Sequence, residues 1–525
     1  MRLLRSTAII GSLTLVSRLL GLVRDILIAR FLGAGVVSDA FFTAFKLPNV
    51  FRRMFAEGAF NAAFIPLYAK RIEKDGEAAA DGFASEAAAA LFFIVALLVI
   101  AFELTMPWSL NIIGSSMDKT TITDGITPYD LAVLYAWLTM PYLLFMSMTA
   151  LFSGILNTRN HFALAAGVPI ILNILMIGTL VLSGGLGWSQ RHIGLAVSGA
   201  ITVSGAVQMA MVIWGCRKAG VKMGFRRPRF TPGVKRLVTL GVPGIISAGI
   251  TQINLLVSHA IALNQTSAAS WLTYADRLYQ LPLGMIGIAM GVALLPTLSR
   301  SIRAGKDGEA RMSLNRGIEI SLFLTLPAAV ALYIIPDFLI AGIYQRGAFT
   351  AETTVEVAKA LKWFALGLPG FVLLKVLTPA FFARENTRTP MIWAGISAAI
   401  NLSLGYALFK TIGFHGLALA TSVAAWVNVI GLAVLLLRSG DLAIDAPLKK
   451  HFPRVVLACA VMGAGLWWAR AKLPELGAAN ILMDFVWLLL ICGAGGILYL
   501  IAATLLRAYD LADIGRAFSR TLPKA

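Results

Sequence analysis

Residues 17–60 read SRLLGLVRDILIARFLGAGVVSDAFFTAFKLPNVFRRMFAEGAF. The stretch is mostly apolar and reads as parts of two membrane helices joined by a turn at Gly33-Ala34-Gly35. Yet it carries Arg18, Arg24, Asp25, Asp39, Lys46, Arg52, Arg53 and Glu57. A charge at membrane depth costs about 2.5–3.5 kcal/mol on insertion scales, so charges there mark function or ion pairing. Most of these charges are positive, which points to an anionic ligand.

The rest of the chain supports the membrane reading. Of 525 residues, 58% are hydrophobic and 14% charged, with a mean hydropathy of +0.79. A soluble domain is about half apolar and a quarter charged. The apolar runs are about 18–25 residues long, enough for an α-helix to cross ~30 Å of hydrocarbon. The alternating segments of an outer-membrane barrel are absent. The net charge of +19 could suggest nucleic acid. The charges instead fill short loops between apolar runs, the positive-inside pattern, and no nucleic-acid partner is expected. Cys216, Cys459 and Cys492 form no CxxC pair, and the five histidines have no metal-ligand spacing. No metal and no cofactor are expected. The N-terminus resembles a signal peptide, but Arg18 and Arg24 interrupt the apolar run, so a retained first helix is expected.

The pattern predicts an all-α integral membrane protein with fourteen transmembrane spans: 8–32, 38–67, 84–108, 130–155, 161–183, 191–215, 236–258, 270–298, 317–340, 355–383, 389–409, 415–437, 453–470 and 482–506. Pro48 is expected to kink the second. The N-terminus, the loops after even-numbered spans and the C-terminus hold 29 of the 45 Lys and Arg; the opposite loops hold seven. That bias puts both termini in the cytoplasm.

The chain also repeats itself. FNAAFIPLYAKR (60–71) parallels VALLPTLSRSIR (292–303), with Pro66 matching Pro296 and Thr43 matching Thr273 at an offset of 230. ALFSGILNTRNHF (150–162) parallels TPAFFARENTRTP (378–390). Both copies begin with an odd-numbered span, so they are parallel repeats, a transporter architecture with the site between the halves. The expected organisation is an N-lobe over 1–217, a basic linker over 218–235, a C-lobe over 236–438, and two further helices with a tail over 439–525. In span 8, Gly284, Gly287 and Gly291 allow close helix packing or a bending point.

Enzymatic chemistry finds no support. Gly305-Lys306 is preceded five positions earlier by Arg300 rather than Gly, and no HExxH or GxSxG occurs. The charges inside spans are the informative set. To those of the opening stretch the second half adds Asp276, Arg277 and Lys375. Arg24 with Asp25, Arg53 with Glu57, and Asp276 with Arg277 read equally as internal ion pairs or as parts of a charged cleft. Glu103, Glu319 and Asp484 lie near span ends and are expected at the interface. Lys359 and Lys362 are expected to snorkel. The basic loop Arg217–Arg236 reads as a topology determinant touching anionic lipid heads. Arginine-rich clefts suit phosphate, because a guanidinium offers oxyanions two hydrogen bonds at once. The substrate expected from charge alone is a phosphate or diphosphate.

The opening stretch resembles the N-terminal signature of the MurJ (MviN) family of lipid II flippases, within the multidrug/oligosaccharidyl-lipid/polysaccharide exporter superfamily. YADRLYQLPLGMIGIAMGVALLPTLS (274–299) and LLKVLTPAFFARENTRTP (373–390) resemble its second-half signatures. The resemblance implies two six-helix lobes in a V around a central cavity, with helices 13 and 14 forming a groove for a lipid tail. It implies transport of the undecaprenyl-diphosphate-linked peptidoglycan precursor, lipid II, across the bacterial inner membrane in cell-wall biogenesis. Arg18, Arg24, Arg52 and Arg277 match the family's functional arginines, and Lys375 joins them as a substrate-binding candidate. Asp25, Asp39, Glu57 and Asp276 fall on charged positions of the family motifs and, with Arg53, are cast as gate or ion-pair residues. Two departures stand out. Gln280 occupies a position that is acidic in some relatives, and spans 7 and 11 lack the carboxylates of a sodium site. The expected partners are lipid II, membrane lipids and the cell-wall synthesis machinery, with the protein a monomer. The alternatives are a flippase for another polyprenyl-diphosphate glycan, of O-antigen type, and a non-transporting cell-wall scaffold.

Overall fold

The structure, a computed structural model, describes residues 2–54, 60–120, 122, 125–224, 227–477 and 481–508. It is helical apart from turns and loops, with no β-strand among the described residues. Hydrocarbon offers no partner for a backbone N–H or C=O, and an α-helix satisfies these groups within one segment.

Packing divides the chain into two compact units, Met1–Ser270 with Gly347–Phe349, and Trp271–Arg346 with Thr350–Ala525. The first holds α1 (Arg2–Leu32), α2 (Val36–Arg52), α3 (Asn61–Asp75), α4 (Glu77–Leu104), α5 (Met106–Gly114), α6 (Pro128–Thr139), α7 (Tyr142–Thr158), α8 (Phe162–Gly185), α9 (Gln190–Lys218) and α10 (Pro232–Ala262). The division falls within the first turn of α11 (Ala268–Pro282). The second unit continues with α12 (Ile288–Arg303), α13 (Asp307–Ile334), α14 (Pro336–Tyr344), α15 (Ala351–Phe382), α16 (Arg388–Ile412), α17 (His415–Arg438), α18 (Ala446–Arg470) and α19 (Ile481–Leu505).

In the first unit α1 lies along α8, both α8 and α7 lie along α9, and α2 lies along α6. Phe64 stacks on Tyr68 and Phe83, with ring centroids 5.5 and 5.8 Å apart, in a core that includes Leu151 and Ile155. Helix α10 packs on α2, α3, α4 and α5, so this unit runs one helix beyond the basic linker. In the second unit α15 and α16 both lie along α17, as α7 and α8 do along α9. Helix α18 packs on α13 and α19, and α19 also packs on α14.

Among the described residues, ten helical segments are long and apolar enough to cross a membrane: α4, α6 with α7, α8, α9, α13, and α15 to α19. The protein is therefore an all-helical, multi-pass membrane protein. Helix α1 carries Arg18, Arg24, Asp25 and Arg30, while α2 and α11 stop after 17 and 15 residues. Helix α2 runs through Pro48 unbroken; the change comes at Arg53 and Met54, which are π-helical. Helix α11 ends at Pro282 and continues as a π-helical turn, Leu283–Gly287, into α12.

The Gly33 turn is more constrained than an ordinary one. Gly33 has φ +66°, and a Cβ there would lie 2.6 Å from the Ala348 carbonyl oxygen. The Ala348 N–H donates to the Arg30 carbonyl at 2.8 Å, capping the end of α1. Residues 347–349 thus complete the first unit.

Ion pairs, buried at Asp484 and Glu319 and more open at Asp337, tie the last two helices to the rest of the second unit. Arg346 donates to Asp484 at 2.9 Å and to the carbonyls of Gly342 and Ile343 at the end of α14. Arg470 at the end of α18 reaches Asp337 at 2.7 Å. At the other end of α18, Glu319 accepts from Arg316 and pairs with His451. Glu319 and Asp484 are only 3% and 6% exposed, because each is held by basic partners. Removing one partner of a buried pair leaves the other charge uncompensated and costs about 3–5 kcal/mol. Arg346→Ala or Asp484→Ala should therefore lower the thermal unfolding midpoint of the purified protein by several degrees. The double variant should fall well short of the sum of the single effects.

Candidate functional site

The first unit places the charged residues of the opening stretch in three settings. Arg24 on α1 donates through Nε and Nη2 to Asp25 Oδ1, at 3.0 and 2.8 Å, and through Nη1 to Asn173 Oδ1 on α8 at 2.9 Å. The Arg24 and Asp25 side chains are 12% and 13% exposed. Asn173 Nδ2 donates to the Ser17 carbonyl at 2.9 Å, so one amide orients the guanidinium and ties the two helices. Of the two readings open for Arg24 and Asp25, the structure shows an ion pair, fixed by a third side chain. Asn173 is missing from the sequence-based candidates; its signal is a lone amide in the apolar run FALAAGVPIILNILMIGTLVLSGG. Polar side chains in such a run bond across helices. Arg18, also on α1, is half-buried.

Arg52 ends α2 and donates to Asn49 Oδ1 through Nε and Nη2, at 3.0 and 2.8 Å. That bond holds the guanidinium against its own helix. Arg53 is exposed in the π-helical turn. Glu57, its expected partner, lies outside the described residues.

Asp39 has a different role from a charge-pair partner. It is buried, and its Oδ2 and Oδ1 accept the backbone N–H groups of Ser267 and Ser270 at 2.7 and 2.8 Å. Those groups belong to the start of α11, where N–H donors have no partner within the helix. The carboxylate therefore acts as a helix cap supplied from α2, and its charge suits the positive end of the helix dipole. One turn on, Thr43 donates to the Asp39 carbonyl at 2.7 Å and lies 2.9 Å from His259 Nε2. With its one proton committed, Thr43 can only accept from His259, so Nε2 carries the ring proton.

Arg159, in the repeated Asn-Thr-Arg motif, serves the packing of the unit. It donates to Asp81 at 2.7 Å, Tyr68 at 3.1 Å and Glu77 at 3.2 Å, while Asp81 also accepts the Lys222 N–H at 2.8 Å. Four segments meet on one buried carboxylate.

In the second unit Asp276 and Arg277 are half-buried on α11, and Gln280 one turn later donates to Asp276. The residue that departs from the acidic pattern of some relatives thus offers Asp276 a neutral donor. Lys375 on α15 is exposed, and its stem crosses Gly287, where an added Cβ would sit 3.3 Å from Lys375 Cγ. Gly287 and Gly291 both face this part of α15, as the packing reading of the glycine run requires. Lys359 pairs with Glu356 at 2.6 Å at an exposed position. Among the described residues no three His, Cys, Asp or Glu side chains are placed to hold a metal ion.

Apolar helices that enclose guanidinium and carboxylate groups, beside two helices that run into π-helical turns, define a multi-pass membrane protein with charge held inside its helix packing. The fold is shared with an inward-facing multidrug resistance transporter of the MATE family, MOP superfamily, at TM-score 0.68 and 16% identity, covering 84% of this chain and 99% of that one. A structure of the lipid II flippase MurJ in an inward closed conformation matches at TM-score 0.77 and 27% identity, over 94% of this chain and 98% of that one. The family model for the lipid II flippase MurJ matches residues 28–487. A probable lipid II flippase MurJ of Rhizobium meliloti (strain 1021) is 45% identical over 469 residues, 89% of this chain and 87% of that protein. Its counterpart in Rhizobium tropici is 42% identical over 525 residues, 100% of this chain and 98% of that protein. The chain belongs to the lipid II flippase MurJ family.

The Asp39 cap makes a local prediction. Asp39→Ala leaves two buried N–H donors unsatisfied, at a cost of about 1–3 kcal/mol each. Hydrogen exchange should accelerate at the Ser267 and Ser270 amides while protection of the α7–α9 core is kept. Unchanged exchange at 267–270 would contradict the capping role.

Proposed function

We propose that the protein flips lipid II, the undecaprenyl-diphosphate-linked peptidoglycan precursor, from the cytoplasmic to the periplasmic leaflet of the bacterial inner membrane by alternating access. The observation that carries this reading is the Arg24–Asp25–Asn173 cluster, a guanidinium retained between two helices of an otherwise apolar membrane bundle. Membership of a family named for lipid II flipping supports the choice of substrate. Adding α1, α2 with α3, α10, and α11 with α12 to the ten apolar spans makes fourteen. These group as two six-helix lobes related as parallel repeats, with α18 and α19 as helices 13 and 14. The loop charge bias supports cytoplasmic termini.

In this mechanism Arg24, Arg52 and Arg277, helped by Arg18 and Lys375, bind the diphosphate, while the polyprenyl tail stays in lipid beside α18 and α19. No bond is made or broken, so the protein is a transporter and not an enzyme. Asp25 and Asn173 keep the Arg24 fork oriented until phosphate oxygens replace the carboxylate. Each arginine–phosphate contact supplies about 1.5–3 kcal/mol, the range for hydrogen bonds to charged groups. Asp25, Asp276 and Glu57 are the exchangeable acids, with Arg53 beside them. Asp39 instead holds the entry to α11, as the gate-side anchor of that helix.

Arg24→Ala, Arg52→Ala and Arg277→Ala should each reduce lipid II translocation by about tenfold or more, the equivalent of one such contact. Reconstituted vesicles carrying labelled lipid II report translocation directly. Full activity in all three variants would rule out the arginine assignment. Depletion in cells separates the substrates: accumulated lipid II with lysis supports this reading, whereas loss of one surface polymer without lysis points to another polyprenyl-diphosphate glycan.

A further inference from the structure

We propose that the first unit carries a binding slot for an anionic phospholipid, separate from the transport residues, between α4, α7 and α9. The slot is a cavity of about 420 Å³. Its walls are apolar: Ala89 and Phe92 of α4, Met148 and Phe152 of α7, and Met209 and Ile213 of α9. Phe92 and Phe93 at its edge are exposed, so it opens on the face of α4 that the bilayer covers. A volume of this size is within the ~300–1,000 Å³ of ligand pockets. Its lining suits a hydrocarbon chain.

The upper end of the slot is not apolar. Arg217, at the end of α9, is part of the lining, and the loop that follows closes the slot with Met223, Gly224 and Pro228. That loop is held down by backbone bonds. The Lys222 N–H donates to Asp81 at 2.8 Å, and the Gly224 N–H to Ser85 Oγ at 3.3 Å. Arg217, in the lining, is exposed, and so are Lys218, Lys222, Arg227 and Arg229, which follow it in the sequence. Lys218 lies over the exposed Trp214 ring at 5.2 Å, an amphipathic pair suited to the headgroup level. The nearby carboxylates are already engaged, Asp81 by Arg159 and Glu86 by Thr231 at 2.9 Å. A chain-sized apolar slot lined at one end by Arg217, with Lys218 next to it in the sequence, is complementary to a lipid with one acyl chain in the slot and its phosphate at Arg217 and Lys218. Charge complementarity selects an anionic headgroup over a zwitterionic one, because each basic residue near an anionic surface contributes favourably.

The test uses full-length protein, delipidated in neutral detergent and offered phosphatidylglycerol or phosphatidylethanolamine in separate samples. Bound lipid per protein and the thermal unfolding midpoint are measured. Wild type should retain phosphatidylglycerol in preference and gain thermal stability from it. Ala89→Phe fills the slot and should abolish that gain while leaving the midpoint without lipid nearly unchanged. Arg217→Gln with Lys218→Gln should still bind lipid but lose selectivity, by about fivefold per charge removed. If Ala89→Phe fails to fold, Ile213→Trp fills the slot from the opposite wall and is read the same way. Equal retention of the two lipids by wild type would overturn the proposal. So would full phosphatidylglycerol selectivity in the slot-filled variant, which would leave the basic loop alone as the attractant.

Discussion

A charge or backbone group buried in hydrocarbon has no water to turn to, so it must find its partner inside the protein. This structure meets that constraint in three ways. Arg24 is shared between an acid on its own helix and an amide on the next. Asp39 is satisfied by backbone N–H groups at a helix start. Arg346, Glu319 and Asp484 close pairs that pin α18 and α19 to the helices before them. The first arrangement keeps a guanidinium with several donors in a fixed direction, which a phosphate can use. The others leave little capacity and serve the packing.

Helix placement was legible because a membrane helix is specified by length and hydropathy, which survive in a single sequence. All ten apolar spans lie where the hydrophobic runs put them. The ends of α2 and α11 were harder to read. Pro48 is expected to kink the second span; α2 continues through it as helix, and π-helical geometry begins at Arg53. A proline removes one hydrogen bond; whether the helix breaks there depends on neighbours that the local sequence does not name.

The candidate site divides along the same line. Charges within apolar runs announce themselves, so Arg24, Asp25, Arg52, Asp276 and Arg277 could be singled out by cost alone. Their partners could not. Asn173 is 149 positions from Arg24, and Ser270 is 231 from Asp39, distances over which spacing arguments say nothing. The partners of Glu319 and Asp484 were out of reach for the same reason: nearness to a span end does not say which basic side chain closes over the acid. His451 and Arg346 do so here.

The π-helical turns connect these themes. Arg53 and Leu283, where the two turns begin, are 230 positions apart, the offset at which Pro66 matches Pro296 and Thr43 matches Thr273. The offset of the sequence repeat is therefore also the spacing between the starts of the two π-helical turns. A π-helical turn shifts the backbone bonding to i→i+5 and occurs mostly as a short bulge within an α-helix, frequently at a functional site. Both turns follow charged residues on the same helix, Arg52 in one copy and Asp276 with Arg277 in the other. A polar setting that accepts the charges also accepts the irregular backbone. Charge and irregular backbone thus occur together at the end of α2 and along α11, the two described helices that run into π-helical geometry.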